Sequence, residues 1–161
     1  MNKRINIAVL CSMLLAVLLL SACGGTSAKN AEPVDMQKVY DTISAKVQLP
    51  EMIELSAKRM DKYYGIDTST CPQAVTRVNE TGMSVDEIWL IQAPDEAEAQ
   101  RIETVAKSRI EQLCAETEKY SAELYAVAKN GQVVRDGVNV ALFISPDAET
   151  MASVFRQALG K

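Results

Sequence analysis

Two predicted strands, residues 84–92 and 138–144, carry apolar side chains on both of their faces. Successive side chains along a strand point to opposite faces of the sheet. A strand that is apolar on both faces must therefore be covered on both. The chain is expected to bury the centre of its sheet between two covering layers.

The face that carries Trp89 and Ile91 is the candidate binding face. We expect these two residues to share it with Ala141 and Phe143, and we expect the two later helices of the chain to cover the opposite face. The N-terminal helices are the simplest cover for the face with Trp89, and a protein partner or a ligand is the alternative. Trp89, Ile91 and Phe143 are therefore the candidate binding residues.

Each of these strands is predicted to end a hairpin, and the two hairpins are built alike. In the first hairpin, a weaker strand of residues 74–80 is joined by the turn Thr81-Gly82 to the strand of residues 84–92. In the second hairpin, a short strand of residues 132–135 is joined by the turn Asp136-Gly137 to the strand of residues 138–144. Both hairpins then run through Pro-Asp into a helix with acids in its first turn, as "WLIQAPDEAEA" and "LFISPDAETM" show. The chain is predicted to contain two hairpin-plus-helix (ββα) units.

A pair of helices is predicted to precede these units. The first follows Asp35 and ends before Leu49-Pro50, and its apolar residues recur three and four positions apart. The second spans about residues 51–64 and ends at Gly65, which suits a left-handed C-cap. The order α-α-β-β-α-β-β-α predicts an α+β fold with a largely antiparallel sheet.

The N-terminal segment has the layout of a signal sequence. Two basic residues, Lys3 and Arg4, precede residues 5–20, which contain no charged side chain. This stretch is short for a membrane-spanning helix, which needs about 20 apolar residues. The motif Leu20-Ser21-Ala22-Cys23 resembles the lipobox of bacterial lipoprotein precursors. The resemblance implies that the Cys23 thiol receives a diacylglyceryl group and that residues 1–22 are removed.

This resemblance sets the expected domain organisation and location. Residues 1–22 are the signal peptide, residues 23–32 are the lipidated cysteine with a small polar tether, and residues 33–161 are one domain of ordinary size. The lipid on Cys23 is expected to hold the protein at the outer, extracytoplasmic face of the cell membrane. The chain has 17 Lys and Arg against 21 Asp and Glu, so nucleic acid is excluded as a partner and anionic headgroups provide no attraction.

The absence of histidine from the chain excludes several kinds of active site. Ser-His-Asp and Cys-His catalysis, HExxH metalloprotease sites and His-ligated metal sites are ruled out. No glycine-rich phosphate loop and no CxxC pair is present. The adjacent carboxylates Asp86 and Glu87 fall in a strand and point to opposite faces, while Asp95 and Glu96 begin a helix. We therefore predict no catalytic residue, no metal site and no cofactor.

The predicted domain contains two cysteines, Cys71 and Cys114. Outside the cytoplasm a pair of thiols is a disulfide candidate. The alternative is that both are small buried hydrophobic residues, which free cysteines often are. The sequence leaves both alternatives open because it does not give the distance between the two Cα atoms.

Tyrosines cluster near predicted helix ends, at Tyr63-Tyr64, Tyr120 and Tyr125. Such residues usually cap the core with one edge in water. A binding platform for sugars or aromatic groups is the alternative interpretation.

From about Met36 to Leu159 the chain resembles an uncharacterised family of short lipoproteins from Gram-positive bacteria, described only as a domain of unknown function. The likeness lies in "YYGID", "VDEIWLIQAPD", the long helix after it, and "VVRDGVNVALFISPD". The resemblance implies a fold and no known chemistry. We expect a non-enzymatic lipoprotein that binds a protein partner or a small ligand. The alternatives are a small cell-surface enzyme that uses carboxylates or a cysteine, and a transporter-associated ligand-binding lipoprotein.

Overall fold

The computed structural model describes residues 34–161, so Cys23, the predicted signal peptide and the predicted tether lie outside the described residues. Residues 34–161 belong to one compact unit. The helices are α1 Met36–Lys46, α2 Ala57–Tyr64, α3 Glu96–Thr117, α4 Ala122–Lys129 and α5 Ala148–Ala158. The strands are β1 Met52–Glu54, β2 Gln73–Asn79, β3 Glu87–Gln92, β4 Gln132–Asp136 and β5 Asn139–Ile144.

The five strands form one antiparallel sheet in the order β1-β2-β3-β5-β4. The two apolar strands, β3 and β5, are neighbours at its centre. The hairpin of β2 and β3 leads into α3, and the hairpin of β4 and β5 leads into α5. The expected α+β class and antiparallel sheet are confirmed, and each hairpin is followed by a helix as the sequence predicted.

Helices cover both faces of the sheet, with α3 on one side and α5 on the other. On the side that we call the α3 face, Trp89, Ile91 and Leu142 pack against α3 residues such as Ile102. On the opposite side, the α5 face, α1 and α5 cover the sheet and enclose a second apolar cluster of Met36, Val39, Ile43, Ile88, Leu90, Ala141, Phe143, Met151 and Phe155. The expectation that the two later helices share one face is therefore wrong.

The pairing register explains this difference. Trp89 lies opposite Leu142, and Ile88 lies opposite Phe143. Residues directly opposite each other in an antiparallel pair project to the same face of the sheet. Trp89 and Phe143 thus occupy opposite faces, so the predicted grouping of Trp89 and Ile91 with Phe143 is also wrong. Periodicity in one strand identifies its two faces, but it does not give the register that combines them with the faces of the next strand.

The predicted N-terminal helix pair is interrupted by a strand. Residues 52–54 form β1, in which Ile53 pairs with Val78 of β2, and α2 begins only after Ser56. The prediction of a helix from residue 51 is wrong over this segment because a short apolar run fits a strand as well as a helix. Helix α4 was not predicted at all; Ser121 begins it by accepting a hydrogen bond from the Leu124 amide at 3.3 Å.

Several helix ends follow the local rules. Asp35 and Asp95 cap α1 and α3 by accepting hydrogen bonds from the amides of Lys38 and Glu98. Such caps satisfy amides that have no partner inside the helix. Gly65 ends α2 with φ of 64°, the left-handed conformation that glycine adopts without strain. Among residues 34–161, no helix is both long enough and apolar enough to cross a membrane.

Candidate functional site

The three predicted binding-face residues are all buried. Trp89 is 1% exposed, and Ile91 and Phe143 have no exposed surface. Trp89 and Ile91 lie under α3, whereas Phe143 packs against Phe155 of α5 with 6.2 Å between ring centroids. The structure therefore does not bring the three together on one surface.

The most distinctive polar feature of the sheet is Glu87, an acid in the otherwise apolar strand β3. Its side chain is 2% exposed and lies on the α3 face beside Trp89. The Oε1 atom accepts hydrogen bonds from the Tyr64 hydroxyl at 2.8 Å and from the Trp89 indole Nε1 at 2.9 Å. The Oε2 atom accepts one from Arg109 Nε at 2.9 Å. Both oxygens of this buried carboxylate are thus occupied.

Aromatic contacts tie the same groups together. The Tyr64 ring lies 4.7 Å from the Trp89 ring, centroid to centroid. The Arg109 guanidinium carbon lies 5.5 Å from the centre of the Tyr64 ring, within cation–π range. We call Tyr64, Glu87, Trp89 and Arg109 the Glu87 network. It joins α2, β3 and α3 at one place.

Burial shifts the protonation equilibria in this network. Burial of Tyr64 raises the pKa of its phenol well above the ordinary value, and the neighbouring charge of Glu87 raises it further. For Arg109, burial alone would lower the pKa of the guanidinium, but the charge of Glu87 and the hydrogen bond to it outweigh that effect and leave the pKa raised. The phenol is therefore held neutral and the guanidinium charged.

The Glu87 network is closed to substrates. Three donors from Tyr64, Trp89 and Arg109 surround the carboxylate, and helices cover it. A general base must lie within reach of a substrate proton, and the Glu87 side chain, at 2% exposure, lies beyond that reach. Sequence reasoning missed Tyr64 and Arg109 as partners, although an acid that faces the core two residues before Trp89 requires a buried cation nearby.

Asp86 lies outside this network, as the expected alternation of side chains along the strand requires. Its carboxylate is largely buried, with 7% of the residue exposed. It lines an open pocket of about 420 Å³ together with Asp147 at the start of α5 and the loop after α1. The other lining residues are Gln48, Leu49, Pro50 and Pro146.

A second concavity lies between α1 and α5. This groove has a volume of about 540 Å³ and is lined from α1 by Lys38, Val39 and Thr42, among others. Residues Val154, Gln157 and Ala158 line it from α5. It combines apolar side chains with polar ones, which is typical of a site that binds a partner or a small molecule.

The structure does not bring the two cysteines together. Both are free thiols that pack at the edge of the apolar cluster on the α3 face. Cys71 lies near Glu98 and Arg101 in the first turns of α3, whereas Cys114 lies in its last turns, about 20 Å farther along a helix that rises 1.5 Å per residue. Burial, with a smaller effect of Glu98, raises the pKa of the Cys71 thiol, which is the reverse of what a nucleophilic thiolate needs.

The tyrosines differ in exposure. Tyr64 is half-buried in the Glu87 network, while Tyr63 and Tyr120 are 60% and 83% exposed. Tyr125 is half-buried as well, so Tyr64 and Tyr125 are consistent with core-capping residues, whereas Tyr63 and Tyr120 are not. Across the described residues, no group of three or more His, Cys, Asp or Glu side chains gathers as a metal site.

Comparison with known proteins identifies a family for the chain. Residues 45–145 match the family described as Domain of unknown function (DUF4358). The match covers β1 to β5 and includes Glu87 and its three partners. No curated protein and no solved structure matches the chain.

Proposed function

We propose that this chain, which belongs to the DUF4358 family, is a lipid-anchored extracytoplasmic protein with a non-enzymatic binding or accessory role. The observation that carries this proposal is the motif Leu20-Ser21-Ala22-Cys23 directly after the uncharged residues 5–20. A thiol at that position can form a thioether to diacylglycerol. The proposal therefore makes Cys23 the first residue of the mature protein.

The proposed attachment to the membrane depends on the lipid and not on the charge of the protein. Each buried methylene adds about 0.8 kcal/mol, and two acyl chains hold a protein stably where one does not. The acids of the chain outnumber its bases, and removal of Lys3 and Arg4 with the signal peptide makes the balance more acidic. An acidic domain is repelled by anionic headgroups. The proposed protein therefore stays at the membrane through its lipid alone.

The site chemistry supports a role other than catalysis. The chain has no histidine, and the carboxylate of Glu87 is enclosed by three donors. Asp95 is occupied in capping α3, and the pKa of Cys71 is raised. The carboxylates and the cysteine on which an enzymatic alternative would depend are thus structural at these positions.

The groove between α1 and α5 supports binding as the role. It opens at the surface of the domain and combines Lys38 and Gln157 with apolar side chains such as Val39 and Val154. A site of this size suits a small ligand or a side chain of a partner protein. The binding role is proposed for this groove rather than for the face with Trp89, which is buried.

Metabolic labelling tests the anchor. The full chain is expressed in a bacterium that processes lipoproteins, and incorporation of labelled palmitate is compared between wild type and Cys23→Ser. Cys11→Ser is the matched control, because Cys11 lies inside the uncharged run and should not be acylated. We expect wild type and Cys11→Ser to take up label and Cys23→Ser to remain an uncut, unlabelled precursor. Label in Cys23→Ser equal to that in wild type would overturn the proposal.

A further inference from the structure

The carboxylate of Asp86 is buried, and one of its oxygens has no hydrogen-bond partner within residues 34–161. The residue is 7% exposed, and its Oδ1 atom is buried without a hydrogen-bond partner among the described residues. A buried carboxylate that lacks compensation is strongly unfavourable. Glu87, the next residue, shows the usual solution, because three donors surround it. Asp86 therefore stands out as a charge whose partner is missing.

The pocket in front of Asp86 contains a second carboxylate, that of Asp147, which makes no hydrogen bond among the described residues. Asp147 lies at the first position before α5, where an acid normally caps the helix, but its side chain makes no capping hydrogen bond. Asp35 and Asp95 occupy the same position before α1 and α3, and both do make that bond. The Asp147 carboxylate is therefore free for another partner.

In the part of the chain that the structure describes, no basic side chain lines this pocket. At the start of α5, the Asp147 amide donates to Ser145 Oγ at 3.3 Å and the Ala148 amide donates to the Ser145 carbonyl at 3.2 Å. Within residues 34–161, none of the salt bridges involves Asp86 or Asp147. The described lining of the pocket presents two carboxylates and no basic side chain, which favours a cation as their partner.

We propose that this pocket binds Ca²⁺ through the carboxylates of Asp86 and Asp147. The amide oxygen of Gln48 and backbone carbonyls of the loop formed by residues 48–50 supply further oxygen ligands, and water completes the shell. Ca²⁺ takes six to eight oxygen ligands in flexible geometry, whereas Mg²⁺ demands a near-ideal octahedron and keeps most of its water. An open pocket formed by a loop and a helix start suits the larger ion.

The number of charged ligands sets the expected affinity. Two carboxylates are fewer than high-affinity sites use, and the dissociation constant should fall near the range of about 10⁻⁴ to 10⁻³ M that is typical of extracellular modules. Bound Ca²⁺ would tie the loop after α1 to the start of α5, across the end of the α5 face. Binding should therefore raise the unfolding temperature. The site lies within the domain and does not depend on lipidation of Cys23.

The experiment uses the full chain purified in detergent. CaCl₂ is titrated to about 10 mM, and binding is followed by calorimetry and by the unfolding temperature. Asp86→Asn and Asp147→Asn each remove one proposed ligand charge, and Asp61→Asn removes a matched charge from an exposed position in α2. MgCl₂ is titrated in parallel.

We expect a saturable rise in unfolding temperature for wild type and Asp61→Asn, and binding at least tenfold weaker in both ligand variants. Without Ca²⁺, Asp86→Asn should be as stable as wild type or more stable, because it removes an uncompensated charge. Asp147→Asn, at a half-buried position, keeps the test valid if Asp86→Asn fails to fold. The proposal would be overturned if Ca²⁺ had no saturable effect on wild type, or if Asp61→Asn lost as much Ca²⁺ affinity as the two ligand variants. It would also be overturned if Mg²⁺ bound as tightly as Ca²⁺.

Discussion

The indole nitrogen of Trp89 donates a hydrogen bond of 2.9 Å to Glu87, two residues earlier on the same face of β3. This bond places a charged group and the largest aromatic side chain of the core side by side. Arg109 of α3 and Tyr64 of α2 donate the other two hydrogen bonds to the Glu87 carboxylate. The Glu87 network therefore fixes how two helices sit on the central strand.

Glu87→Gln should destabilise the domain by about 2–4 kcal/mol, because Arg109, whose side chain is only 18% exposed, is then left as a partly buried charge without its partner. The measurement is the free energy of unfolding by chemical denaturation. The matched control is Glu149→Gln, which breaks an exposed pair with Arg156 and should cost less than about 1 kcal/mol. A combined Glu87→Gln and Arg109→Met variant should lose less stability than Glu87→Gln alone. Equal effects of Glu87→Gln and Glu149→Gln would contradict the structural role of the network.

Trp89→Ala should cost about 3–5 kcal/mol, since the ring is fully buried and its removal leaves a cavity. It also deprives Glu87 of one donor. Trp89→Phe separates the two effects, because it keeps most of the volume and removes only the indole N–H. We expect Trp89→Phe to fall between wild type and Trp89→Ala in denaturant midpoint. A Trp89→Ala variant as stable as wild type that has lost binding of a partner would instead make Trp89 an interface residue.

Tyr64 should make the protein sensitive to alkaline pH. Its pKa in the folded state lies above the ordinary value of 10.0, so the folded protein holds the phenolic proton more tightly than the unfolded chain does. The stability that this provides is fully present below pH 10 and is lost as the pH rises above that value. Tyrosinate absorbance should show that one tyrosine ionises only when the protein unfolds.

Tyr64→Phe provides the comparison for this pH effect. At neutral pH it should cost about 1.5–3 kcal/mol, because a hydrogen bond to a charged group is lost. Above pH 10 its stability should fall less steeply than that of wild type. The same alkaline slope in both proteins would show that Tyr64 does not carry the effect.

Cys71 and Cys114 should be free thiols in the folded protein, because the length of α3 separates them. Alkylation after unfolding without reductant, followed by intact mass measurement, should find both modified. In the folded state, Cys71 should react slowly with alkylating reagents, because its raised pKa leaves little thiolate. Recovery of a peptide that links Cys71 to Cys114 would contradict this fold around α3.

Local signals in the sequence predicted much of the architecture. The turn signals Thr81-Gly82 and Asp136-Gly137 predicted the two hairpins, and the Pro-Asp junctions predicted the helices that follow them. The apolar character of both faces of β3 and β5 correctly required cover on both sides of the sheet. These features depend on neighbours in the chain, which is why one sequence was sufficient to find them.

Apart from the missed helix α4, the errors concern contacts between distant segments. The register Trp89 to Leu142 separates Trp89 from Phe143, and no pattern within either strand specifies it. The three residues of β1 become a strand because β2 offers an edge to pair with. Arg109 lies 22 positions from Glu87, so their pairing depends on how α3 crosses the sheet. Asp86 was correctly separated from Glu87, but the pocket that it shares with Asp147 appears only in three dimensions.

The most direct test of the central claim is mass spectrometry of the mature N-terminus, on protein isolated from the membranes of the organism that produces it. The account predicts that the N-terminal residue is Cys23 and that it carries a diacylglyceryl thioether. A mature N-terminus at any other residue, or an unmodified Cys23, would contradict the proposed anchor and the extracytoplasmic location together.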